Sequence, residues 1–178
     1  MKANIIWIIS LVVLTLTSCK KIAEKTQFDM DLAQSITIQS STGVNLPFNI
    51  MSPDVETNSE STFAVNDTRK DLIEEILLNS VELKLTSPSN ADFSFLESIS
   101  IYLSADGLEE MKVAWMDEVP DNAGSTLVLS ITQSDLKEFI KKDEFDLRVY
   151  TITDEVLTSD HTIDVLSSFH VDAEIFGQ

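Results

Sequence analysis

Apolar and polar side chains alternate at every second residue through most of this chain, and nothing else in the sequence constrains the fold as tightly. Val81-Glu82-Leu83-Lys84-Leu85 shows the pattern most cleanly. Successive side chains on a strand point to opposite faces, so this stretch reads as a strand with one buried and one wet face. The same period runs through Ile36 and Ile38, through Leu46, Phe48 and Ile50, and more briefly through Phe63 and Val65. It returns in Ile99, Ile101 and Leu103, in Met111, Val113 and Trp115, and in Leu127, Leu129 and Ile131. Phe145, Leu147 and Val149 continue it, followed by a long last run from Ile163 to Ile175. Ala105-Asp106-Gly107 supplies hairpin-turn chemistry between two of these runs, and Ser87-Pro88-Ser89-Asn90 ends another. Pro47 cannot donate to a ladder, which places its segment at a sheet edge.

Two segments depart from the alternation. Thr68 and Asp71 resemble a capping box ahead of Leu72, Ile73, Ile76 and Leu77, which predicts a helix over about 68–78. Thr132-Gln133-Ser134-Asp135 precedes Leu136, Phe139 and Ile140 at spacings of three and four, which predicts a second helix over about 133–142. Strands joined by short turns, with two short inserted helices, specify a mainly β chain. The expected architecture is an antiparallel β-sandwich of about eight to nine strands, with residues 35–178 as one domain.

Hydrophobic residues make up 43% of the chain, enough for such a core. Against 30 Asp and Glu stand 12 Lys and Arg, a formal charge of −18, whose field repels phosphate backbones and argues against nucleic acid as a partner. The four glycines are not spaced to cradle a phosphate, so nucleotide-binding fingerprints are absent and no cofactor is expected.

The amino terminus carries a separate signal. After Lys2, the run from Ile5 to Thr17 holds 13 residues without a charge. That falls short of the roughly 20 residues a membrane-spanning helix needs but fits the core of a signal peptide. Leu16-Thr17-Ser18-Cys19 follows, and it resembles the lipobox of bacterial lipoproteins, in which an aliphatic and two small residues precede an obligatory cysteine. The resemblance covers only this leader. It implies that residues 1–18 are removed, that Cys19 is lipidated and becomes the first residue, and that 19–34 form a lipidated tether. Two or three acyl chains, palmitate among them, hold a protein to a bilayer firmly at about 0.8 kcal/mol per buried methylene. Lys20 lacks the aspartate that the family associates with inner-membrane retention, so the resemblance implies the outer membrane, facing the periplasm. Cys19 is the sole cysteine, which excludes an intramolecular disulfide and a cysteine zinc site.

Catalytic constellations are sparse. His161 and His170 are nine residues apart, an odd separation that sends them to opposite faces of one strand, with His161 expected in a solvated loop and His170 facing outward. No G-x-S-x-G nucleophile turn occurs. Acidic pairs such as Glu74-Glu75 and Glu109-Glu110 read as solvated faces rather than glycosidase dyads. The densest loop of hard oxygen donors runs from Asp117 to Asn122, which makes Asp117, Asp121 and Asn122 the calcium candidates, without EF-hand spacing. Tyr102 and Tyr150 are out of phase with the apolar stripes of their strands and are expected at the surface, whereas Trp115 is in phase with Met111 and Val113 and is expected in the core. The sequence thus supports a non-enzymatic binding or assembly module anchored in the cell envelope, with the lipid bilayer and an envelope protein as partners. A carbohydrate-binding lipoprotein and a hydrolase are the competing classes.

Overall fold

The computed structural model describes residues 27–40 and 47–174; the leader, Cys19, Leu46 and Ile175 lie outside them. The described chain forms nine strands. They are β1 (Gln27–Ile38), β2 (Pro47–Glu56), β3 (Ile73–Ser87), β4 (Leu96–Ser104), β5 (Met111–Met116), β6 (Thr126–Val128), β7 (Ser130–Ile131), β8 (Glu144–Thr153) and β9 (His161–Ala173). One sheet has the order β1-β9-β3-β6 and the other β2-β8-β4-β5-β7, with every pairing antiparallel. Each sheet turns one apolar face inward, and the alternation read from the sequence supplies the core: Leu83, Ile163 and Val165 from the four-stranded sheet meet Ile99, Ile101 and Val149 from the five-stranded one. The mainly β, antiparallel sandwich is therefore the fold, and Pro47 does lie on an edge strand.

Several local expectations are corrected. The strand β1 begins at Gln27, so the segment expected as a tether up to residue 34 already belongs to the sheet, paired in register with β9 from Gln27 opposite Asp172 onward. No helix spans 68–78. A short 3-10 turn, Lys70–Leu72, leads straight into β3. The reason is bulging: register shifts at Ile73/Glu75 and Leu78/Ser80 each insert an extra residue, so buried positions fall at Ile73, Ile76, Leu78 and Val81. Spacings of three in a bulged strand imitate one helical face. Thr68 does not cap a helix; its Oγ1 donates to the Glu174 carbonyl at 2.6 Å and ties the start of β3 to the end of β9.

Phe63 and Val65, expected on a strand, sit on a short helix α1 (Ser59–Val65), with Phe63 fully buried edge-on against the Phe28 ring and Val65 80% exposed. The second expected helix is shorter than 133–142: α2 spans Lys137–Ile140. Asp135 fixes it to β3, accepting from the Ile76 and Lys137 backbone N–H groups at 3.0 Å each. Burial pushes the Asp135 carboxyl up, but those two N–H groups and the Lys137 ammonium outweigh it and hold it below the usual carboxylate range. Leu127, Leu129 and Ile131 are likewise not one strand. β6 belongs to the four-stranded sheet and β7 to the five-stranded one, and Leu129 at the crossing donates its N–H to Val81. No helix among the described residues is long and apolar enough to cross a membrane.

Candidate functional site

Among the described residues, the apolar gap between the two sheets has no room for a ligand. Between the sheets lies a cavity of about 20 Å³ bordered by Leu78, Val81, Leu147 and Ser167, the space of about one water. On the outside of the sandwich the outward-pointing half of the alternation is free of packing duty.

The two outer faces differ. On the four-stranded sheet, cross-strand rows place Asp29 beside His170, Asp31 beside Ser168, Ala33 and Leu166 beside Glu82, and Asp164 beside Lys84. Each of these four successive rows carries a carboxylate. A shallow depression of about 350 Å³ there is edged by Asp31, Glu82 and Ser168.

On the five-stranded sheet two neighbouring middle rows carry no acid. The first aligns Asn49, Tyr150, Ser100, Trp115 and Ser130 across all five strands; the second aligns Met51, Arg148, Tyr102 and Lys112. Tyr102, Tyr150 and Trp115 are all partly exposed. Tyr150 and Trp115 flank Ser100 with one strand between them, so their backbones lie about 9.6 Å apart.

Arg148 organises this patch. Its Nε and Nη2 donate to Glu110 Oε2 and Oε1 at 2.7 and 2.5 Å, a bidentate fork. Nη1 donates to Asn49 Oδ1 at 2.7 Å. The guanidinium carbon stands 4.1 Å from the centre of the Tyr102 ring, and Lys112 Nζ stands 4.7 Å from that of Trp115. The fork holds the Glu110 carboxyl below its ordinary range, burial opposing, and raises Arg148. Two aromatic rings are thereby each held against a cation whose own position is set by the sheet.

The sequence placed Tyr102 and Tyr150 on this surface correctly, but Trp115 is a correction. A bulge in β5 makes Ala114 the partner of Ile101 and Lys112 the partner of Tyr102, so Val113 and Ala114 are both buried and Trp115 turns outward opposite Ser100. Arg148, Asn49 and Lys112 were not singled out from sequence, and Glu110, read there with Glu109 as a solvated face, is instead engaged by Arg148. The signal for Arg148 was its position two residues before Tyr150, between Leu147 and Val149, which puts both on one outward face.

The other candidates are dispersed. His161 is buried at the start of β9 rather than solvated: its Nδ1–H donates to the Ser159 carbonyl at 2.9 Å, and its ring centre lies 4.6 Å from that of Phe95. His170 faces outward, with Nδ1 3.0 Å from Asp29 Oδ1. The two histidines do stand on opposite faces of β9. Asp117, Asp121 and Asn122 lie in the exposed loop between β5 and β6, and among the described residues no three His, Cys, Asp or Glu side chains converge as metal ligands. Cys19 lies outside the described residues.

No family model and no curated protein matches the chain. Among solved structures it is similar to N-glycanase F (PNGase F), at 11% identity and a TM-score of 0.45, covering 83% of this chain and 42% of that one. It thus spans less than half of that relative's length. A chain of the cyanophage Pam1 capsid follows at 8% identity and a TM-score of 0.41, covering 82% of this chain and 86% of that one. CpGH89CBM32-5 from Clostridium perfringens, solved with GalNAc-β-1,3-galactose, is similar at 14% identity and a TM-score of 0.32, covering 67% of this chain and 94% of that one. At such identities and TM-scores these likenesses bear on neither ligand nor activity.

Proposed function

We propose that the protein is a non-enzymatic binding module held in the cell envelope, at the outer membrane, by acyl chains on Cys19, and that the middle of the five-stranded sheet's outer face takes its ligand. The single observation that carries the binding half is the pair of acid-free rows around Tyr150, Ser100, Trp115, Arg148 and Tyr102. Inward residues are dictated by packing, whereas outward ones are not. Tyr102 is held against the bidentate Arg148–Glu110 pair and Trp115 against Lys112, and burial does not require these partly exposed rings to share one face with Tyr150. The anchor half rests on the lipobox resemblance at Leu16-Thr17-Ser18-Cys19. With β1 starting at Gln27, only eight Cα steps separate the body from Cys19, at most about 28 Å. The body therefore stays close to the bilayer, and its ligand is another component of the envelope.

The non-enzymatic reading is supported by how the titratable groups are used. His161 is engaged with Ser159 and Phe95, and His170 with Asp29 on the other side of the strand. Neither stands near the aromatic rows, which lie on the opposite sheet.

Mass spectrometry of the mature amino terminus tests the anchor. A diacylglyceryl-modified Cys19 is expected, with Cys19→Ser releasing the protein from membranes. An unmodified terminus elsewhere, with fractionation unchanged by Cys19→Ser, overturns it. In-cell crosslinking of the anchored protein and its soluble Cys19→Ser form tests the binding role, with anchor-dependent capture of an envelope component expected.

A further inference from the structure

We infer that the ligand of this face is an uncharged glycan, bound by stacking of its sugar rings on Tyr150 and Trp115 across Ser100; the inference rests on the binding face proposed above. Three features of the patch select that chemistry. First, charge: Arg148 and Lys112 are matched in number by Glu110 and by Asp146 in the adjoining row, so the patch is polar but formally neutral. A polyanion would meet a protein carrying −18 overall, and a polycation would find the acid rows of the opposite sheet first. An occupant of the middle of this face is therefore uncharged.

Second, the patch offers apolar ring surface and fixed polar groups side by side. The apolar C–H face of a pyranose packs on an aromatic ring, and its hydroxyl edges, each both donor and acceptor, pair with planar groups such as a guanidinium, a carboxylate or an amide. Arg148, Glu110 and Asn49 form one hydrogen-bonded set of those three kinds beside the rings. Because the set is organised before a ligand arrives, little ordering entropy is lost on binding.

Third, Ser100 between Tyr150 and Trp115 is the smallest outward side chain of its row's centre. Its small side chain puts no bulk between the two rings, one face of the Trp115 ring carrying Lys112. An apolar protein segment would gain from the rings but would have to desolvate the Arg148–Glu110 fork without repaying its hydrogen bonds.

Affinity electrophoresis of the mature chain tests this in gels cast with β-glucan, mannan, galactan or xylan, and in a gel of polygalacturonate. Cleavage ahead of Cys19 removes Trp7 and leaves Trp115 as the tryptophan of the mature chain, so its fluorescence reports on the same site. Retardation in at least one neutral gel is expected, with a shift in Trp115 emission and no loss when salt is raised about tenfold. Tyr150→Ala and Trp115→Ala should each weaken it by about tenfold or more, Tyr150→Phe should retain it, and Leu166→Ala on the opposite face should leave it unchanged. Circular dichroism and melting curves establish that each variant is folded. Retardation by polygalacturonate alone, abolished by salt, overturns the uncharged ligand while leaving the face in place. Retardation by none of the gels overturns the glycan. If crosslinking from the five-stranded face still captures an envelope protein in that case, the binding face stands without it; if nothing is captured there either, both fail.

Discussion

On the outer face of the four-stranded sheet four successive cross-strand rows each hold a carboxylate, from Asp29 to Asp164; on the five-stranded sheet the two middle rows hold none and carry Tyr150, Trp115, Tyr102 and Arg148 instead. Both faces are laid down by the same alternation, and beneath both lies the same apolar layer. The difference separates two kinds of constraint. Solubility of an acidic protein asks only for charge on a strand's wet side, which the four-stranded face meets. Tyr102 left partly in water against the Arg148–Glu110 fork, and Trp115 against Lys112, are not required by solubility, and it is these that we propose serve recognition.

The largest effects should fall on the layer that the faces share. Leu83→Ala beneath the acidic face and Ile101→Ala beneath the aromatic one should each cost roughly 2–5 kcal/mol in denaturant unfolding, because both side chains are buried against the opposite sheet. Glu82→Ala, one residue from Leu83 but outward, should stay within about 0.5 kcal/mol. If the outward change cost as much as the inward one, the separation of packing from surface would collapse.

Next come changes that leave stability alone and divide the faces by binding. Trp115→Ala and Tyr150→Ala should abolish most ligand capture while lowering the unfolding free energy by no more than about 1 kcal/mol, whereas His170→Ala and Leu166→Ala should alter neither. A smaller loss, a few-fold by about 1 kcal/mol, is expected for Arg148→Lys, which keeps the charge but loses the bidentate fork to Glu110 and the planar stack on Tyr102. Binding titrations paired with melting curves check both.

How far these features were legible in the sequence depends on where the strands bulge. In β4, β8 and β9 the alternation is regular over the stretches read, and their buried stripes, the outward Tyr102 and Tyr150, and the opposed histidines followed from parity alone. In β3 two bulges reset the parity and produced spacings of three, which reads as a helix. In β5 a single extra residue moved Trp115 from the expected core to the surface, and with it half of the candidate site. A bulge is one residue of surplus that only the partner strand reveals. The same holds for the step from β6 to β7, where an unbroken alternation changes sheets, and for α1, whose Asn58 at φ 51° makes no side-chain cap that a sequence pattern would display. The fork from Arg148 to Glu110 joins groups 38 residues apart and is visible only once β4, β5 and β8 are in register.

The smallest effect is one of pH. Glu110 is held below its ordinary value of 4.5 by the Arg148 hydrogen bonds, so the pair is intact above that value and is lost only as pH falls through the depressed one. Capture on the aromatic face should therefore be flat from about pH 7 to about pH 5 and decline only in stronger acid, whereas Glu110→Gln should show its reduced capture at every pH. The pair lies at the surface, with the Arg148 side chain 22% and Glu110 39% exposed, so solvent screens it and its loss should move the melting temperature little.

The most direct test of the contrast between the faces is site-resolved photo-crosslinking in cells, with a photoreactive residue at Ser98, one row from the rings on the five-stranded face, or at Ser168 on the four-stranded one. Both are partly exposed serines on outward positions of central strands, and Ser98 stands beside rather than between the rings, so the probe leaves the proposed site open. A specific adduct from Ser98, absent from Ser168 and lost in Tyr150→Ala, is the predicted result. An adduct from Ser168, or equal adducts from both, would contradict the assignment of binding to the aromatic face.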